Sequence, residues 1–127
     1  MNIFVYDLDD TIIDWSKNKC INGNNINYDC IKYDLKLHRL LEILKQKIDY
    51  SFIYTNGIKS HAYNVLNALE LTNIFSDIYA RDTLQKPKPY IESFKEVNNK
   101  IRKYIRNVNG HNIPLYFYFF DDLVSNL

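Results

Sequence analysis

The sequence predicts an α/β fold, a doubly wound parallel sheet with helices on both faces, in a single domain over residues 1–127. Three observations predict it. Strand-like and helix-like stretches alternate along the chain. The strands are continuously apolar, as strands covered on both faces are. Polar, chemistry-bearing residues cluster just past the strand ends, where parallel sheets collect ligands.

The first strand spans about 2–7 and carries the apolar run Ile3-Phe4-Val5-Tyr6. An Asn-rich irregular region with Gly23 follows over about 12–34. Leu37, Leu40, Leu41, Leu44 and Ile48 recur at helical spacing and predict a helix over about 35–48. A second strand over about 50–55 passes through Asn56-Gly57 into a helix at about 58–71, burying Ala62, Val65, Leu66 and Leu69. Ile78-Tyr79-Ala80 reads as a short strand. Pro87 and Pro89 predict an extended loop. From Tyr90 to about Arg106 an apolar stripe of Ile91, Phe94, Val97, Ile101, Tyr104 and Ile105 predicts a long helix. Asn109-Gly110 marks a turn. Leu115–Phe120 reads as an aromatic strand buried on both faces.

Composition narrows the function classes. A net charge of +1 gives no global attraction to nucleic acid or membrane. No run approaches the ~18 apolar residues that span a bilayer. Met1 leads straight into a strand, so no signal peptide is expected. Cys20 and Cys30 fit no metal or redox spacing. They are expected to be free thiols, which predicts a cytoplasmic, reducing compartment. Richness in Asn, Ile, Lys and Tyr predicts an AT-rich source genome, that of a large DNA virus, a low-GC bacterium or a parasite. Residues 1–14 hold four aspartates and no base, whereas residues 86–106 hold seven bases against Glu92 and Glu96. That basic segment reads first as a solvated helix face and second as a docking surface for an anionic substrate.

Four motifs carry the chemistry. Asp7-Leu8-Asp9-Asp10-Thr11 closes the first strand, and its i, i+2 carboxylates share one face of an extended chain. Tyr54-Thr55-Asn56-Gly57 closes the second. Lys86-Pro87-Lys88-Pro89 precedes the long helix and Phe94. Asp121-Asp122 closes the last strand, with Asn126 beyond. In this order they resemble the haloacid dehalogenase superfamily of phosphatases: its DxDxT, its Ser/Thr motif, its KPxPxxxF and its DDxxxN. The stretch Tyr54–Ala62 and the DDxxxN ending look most like the pyrimidine 5′-nucleotidase branch.

The resemblance implies a Rossmann-like core and a Mg²⁺-dependent phosphomonoester hydrolase working through an aspartyl-phosphate. Asp7 would be the nucleophile and Asp9 the acid/base. Thr55 and Lys86 would complete the catalytic set. Thr11, Thr55, Asn56, Gly57 and Lys86 would bind phosphate, helped by free N–H groups of the helix starting near Gly57. Asp7, Asp9 and Asp121 or Asp122 would hold Mg²⁺, an all-oxygen site. Asp9 would contribute its backbone carbonyl. Asp10 would be structural, Lys88 an ordinary lysine, and His38, His61 and His111 no ligands.

Two departures from the family pattern stand out. Residues 12–34 suffice for a flap and not for a helical cap. This resembles the capless magnesium-dependent and carboxyl-terminal-domain phosphatases, with an open site for small-molecule, protein or nucleic-acid-end phosphates. The chain also ends just past Asn126, so the usual fifth strand is expected to be missing. The last strand then becomes a sheet edge, and homodimerisation through it is expected. Two rival readings are a catalytically weak regulatory or scaffold protein and a nucleic-acid end phosphatase using the 86–106 face.

Overall fold

The computed structural model describes residues 1–110 and 113–122. Asn126 and His111 therefore lie outside the described residues. In chain order the elements are strand β1 (Asn2–Tyr6), a hairpin of β2 (Ile21–Asn22) and β3 (Asn25–Ile26), and a 3-10 turn (Tyr28–Cys30). Helix α1 (Leu35–Lys47), β4 (Tyr50–Tyr54), α2 (Lys59–Ala68), β5 (Ile78–Tyr79), α3 (Ile91–Asn109) and β6 (Tyr116–Phe120) complete them. The main sheet is all parallel in the order β5-β4-β1-β6. At its centre Val5 stands opposite Phe52 on one side and Phe119 on the other.

Strand periodicity divides the core between the two faces. Ile3, Val5, Phe52 and Tyr54 meet Val97, Ile101 and Ile105 of α3. Tyr6 and Ile53 face the other way, onto Leu41 of α1 and Ala62, Val65 and Leu66 of α2. Helices on both faces cover β1 and β4, which is why those strands read as nearly continuous apolar runs; the buried exception, Ser51, donates its hydroxyl to the Ile74 carbonyl at 2.9 Å. Local signals set the helix ends. Asp34 caps α1 by accepting from the Leu37 N–H at 3.0 Å. Gly110, at φ +77°, closes α3 in the left-handed conformation and donates to the Arg106 carbonyl.

Several expectations need correction. Leu40 and Ile91 belong to helical stripes by spacing, yet both are exposed. β6 is not buried on both faces: Tyr116, Tyr118 and Phe120 are exposed, while Phe117 and Phe119 pack against the α3 side. The reason is position, since β6 is the sheet edge among the described residues and only α3 reaches over it. The proline loop is not simply extended, because the Tyr90 N–H closes a turn onto the Pro87 carbonyl. Nor are the cysteines free. The β2–β3 hairpin folds the chain back so that Cys20 and Cys30 lie 5.6 Å apart at Cα and form a disulfide. With both thiols in a disulfide, the cysteines no longer point to a reducing compartment. Among the described residues no helix is long and apolar enough to cross a membrane.

Candidate active site

β6, β1 and β4 are adjacent, so the residues that follow them become neighbours. The Asp7 N–H donates to the Phe120 carbonyl at 2.8 Å, and the Thr55 N–H to the Tyr79 carbonyl at 2.9 Å. These bonds extend the ladder one residue past the strands and fix Asp7 and Thr55 at the sheet's carboxyl edge. Asp121 follows Phe120 at the same level.

Lys88 occupies the centre of this edge. Its side chain is 3 % exposed, and its ammonium lies 2.7 Å from Asp121 Oδ2 and 3.2 Å from Asp7 Oδ1. It also donates to the Tyr54 carbonyl at 3.0 Å and sits over the Tyr54 ring. Asn56 fixes the backbone from which Lys88 projects. It accepts from the Lys88 N–H at 2.8 Å and donates to the Lys88 carbonyl at 3.1 Å. Lys86, expected in this place, is exposed and lies over the Tyr90 ring instead.

Carboxylates cluster at this edge. Asp7, Asp121 and Asp122 bring one carboxylate oxygen each to within 4.8 Å of one another. Like charges ~4 Å apart repel by about 4 kcal/mol at an effective dielectric of 20. Burial pushes the Asp7 carboxyl up to about 6, and Asp121 adds to that rise, while Lys88 and the Leu8 N–H oppose it. Among the described residues, the Lys88 ammonium reaches Asp7 and Asp121 of these three clustered carboxylates. The donors are all hard oxygens, the set that suits Mg²⁺. The residues therefore fit a divalent cation held by Asp7, Asp121 and Asp122.

The Asp9 carboxylate turns elsewhere. Its Oδ1 accepts from Trp15 Nε1 and from His61 Nε2, each at 2.9 Å. Burial alone would raise the Asp9 carboxyl; the hydrogen bonds from His61 and Trp15 overcome that and hold it below the usual carboxylate range. The Asp9 carboxylate is not part of the Asp7–Asp121–Asp122 group. Asp10 is structural: it sits at φ +59° and accepts from the Trp15 N–H.

Buried Thr55 accepts from the Gly57 N–H at 3.0 Å, which leaves its hydroxyl hydrogen to donate. That bond uses the Gly57 N–H, and Asp82 takes the Lys59 N–H at 2.8 Å. The start of α2 thus offers fewer free donors to a phosphate than expected. A Cβ on Gly57 would stand 3.2 Å from His61 Cδ2 and 3.4 Å from Thr55 Oγ1, so glycine permits this close approach. The Thr11 hydroxyl is buried with no hydrogen-bond partner among the described residues.

Residues 22–109 match the haloacid dehalogenase-like hydrolase family, more than half of the chain. The chain belongs to this family. The stretch matched to the haloacid dehalogenase-like hydrolases contains Thr55, Asn56, Gly57, His61 and Lys88. Asp7, Asp9, Asp121 and Asp122 lie outside it, and geometry joins them to it: Lys88 bonds Asp7 and Asp121, and His61 bonds Asp9. Sequence reasoning missed Lys88, His61, Trp15 and Tyr28. For Lys88 a signal existed, since Lys-Pro occurs twice, at 86–87 and at 88–89. For the two aromatics none did, because they lie in a segment without periodicity.

Proposed function

We propose that this hydrolase cleaves phosphate monoesters through an aspartyl-phosphate on Asp7. The observation that carries the reading is the convergence of Asp7, Lys88, Asp121 and Asp122 at the carboxyl ends of adjacent strands. In the first step an Asp7 carboxylate oxygen attacks phosphorus and the bond from phosphorus to the ester oxygen breaks; Asp9, ionised in the free protein, takes up a proton as the phosphate dianion binds and gives it to that oxygen. In the second, water attacks the aspartyl-phosphate, Asp9 takes the water's proton, and inorganic phosphate leaves. Lys88 and the Thr55 hydroxyl face the charge that develops on the phosphoryl oxygens. Mg²⁺ held by Asp7, Asp121 and Asp122 would add positive charge beside Lys88.

The enclosed space beside Asp7 and Lys88 is about 10 Å³, room for one water. Substrate must therefore approach from the open side. This supports a phosphoryl group on a larger molecule, protein or nucleic-acid end, as well as on a small one. Exposed Lys95, Lys100 and Lys103 on α3 favour the nucleic-acid end among these. Substrate affinity falling steeply with salt would single that reading out.

Hydrolysis of p-nitrophenyl phosphate tests the reaction. Wild type is expected to turn over with Mg²⁺ and not with EDTA. Asp7→Asn is expected to lose at least about a thousandfold, since it removes the nucleophile. Unchanged turnover in Asp7→Asn would refute the assignment.

A further inference from the structure

We infer that His61 is a positioning residue, held by Tyr28 and acting with Trp15 to fix the carboxylate of Asp9 for proton transfer; this rests on the phosphatase reading above. Three segments meet here. Asp9 comes from the loop after β1, Trp15 and Tyr28 from the 12–34 segment, and His61 from the first turn of α2.

The hydrogen bonds run in one direction. The Tyr28 hydroxyl lies 2.8 Å from His61 Nδ1. With Tyr28 donating there, a neutral imidazole carries its hydrogen on Nε2, where it donates to Asp9 Oδ1. Trp15 Nε1, which is only a donor, reaches the same oxygen. The Trp15 and His61 rings stack with centroids 6.1 Å apart, so each limits the other's rotation. His61 has a side-chain exposure of 13 %, against 39 % for Asp9. A mostly buried imidazole thus holds a carboxylate that keeps an open side.

Two donors on Oδ1 leave Oδ2 as the oxygen for exchanging a proton. An aspartate has two side-chain torsions, and each wrong rotamer removes that oxygen from the reacting atoms. Absence of a Cβ on Gly57 lets the imidazole approach, as its contact with His61 Cδ2 shows. Residues 12–34 are therefore more than a cover, since they supply two of the three side chains that set Asp9.

The test compares kcat/KM on two substrates with Mg²⁺, p-nitrophenyl phosphate and a simple alkyl phosphate. This ratio reports the steps up to departure of the leaving group. An alkoxide needs a proton to leave, whereas p-nitrophenolate does not. His61→Ala is expected to lose about 30- to 100-fold on the alkyl phosphate and no more than about threefold on p-nitrophenyl phosphate. His61→Gln places an amide N–H near Nε2 and is expected to recover most of the loss. Tyr28→Phe removes one hydroxyl and is expected to show the same bias, weaker. Equal losses on both substrates in His61→Ala and Tyr28→Phe would overturn the inference and leave the phosphatase reading standing. A wild type inactive on both would overturn the two together.

Discussion

Lys88 and Lys86 differ by two positions and share the same following residue, yet their environments are opposite. Lys88 spans two carboxylates at 3 % side-chain exposure, and Lys86 is in solvent. Removing one partner of a buried ion pair leaves the others uncompensated, at a cost of about 3–5 kcal/mol. Lys88→Met is expected to fall in that range by urea denaturation and to lose most turnover. Lys86→Ala is expected to stay within about 0.5 kcal/mol of wild type and to keep its activity. The reverse ranking would return the catalytic lysine to position 86. The acidic positions were legible because carboxylates past an apolar strand have few other uses in such number. The choice of lysine was not legible. It depends on the turn at Pro87–Tyr90 and on Asn56 gripping the Lys88 backbone from another loop.

At the scale of elements, α1, β4, α2 and α3 follow from periodicity because each buries one stripe or one run against the sheet. The 12–34 segment has no such period, and its shape comes from pairing of β2 with β3 and from the Cys20–Cys30 disulfide. A crosslink across ten residues removes loop entropy from the unfolded chain, worth roughly 2–3 kcal/mol. Reduction with dithiothreitol, or Cys20→Ser, is expected to lower unfolding free energy by about that amount. Tyr28 lies inside the crosslinked loop, so the same change is expected to loosen its bond to His61. No change in denaturation midpoint on reduction would show that the hairpin holds itself. β6 shows the opposite case: its sequence reads as core, but an edge position leaves Tyr116, Tyr118 and Phe120 facing solvent.

For the whole molecule, Asp7 makes a contribution of definite sign to how stability varies with pH. The Asp7 carboxyl moves from 3.8 to about 6 on folding, chiefly through burial. Between those values the unfolded chain releases a proton that the folded chain still holds, so rising pH favours unfolding. Asp7's share of that loss is on the order of 3 kcal/mol. In EDTA, the thermal midpoint of wild type is expected to fall from pH 4 to pH 6, and that of Asp7→Asn to fall less. Mg²⁺ at tenfold over its dissociation constant is expected to restore about 1.4 kcal/mol at pH 7. A wild-type midpoint that rises through this window in EDTA would contradict the burial of Asp7.

The sequence by itself determined the alternation of strands and helices and which strand ends carry acid. Both depend on local periodicity and on residue type, which a linear chain displays in full. Tertiary structure decided which lysine enters the site, which carboxylate stays free of the acidic cluster, and whether the cysteines meet. Those outcomes turn on distances between segments 10 to 80 residues apart, which packing sets and periodicity does not encode.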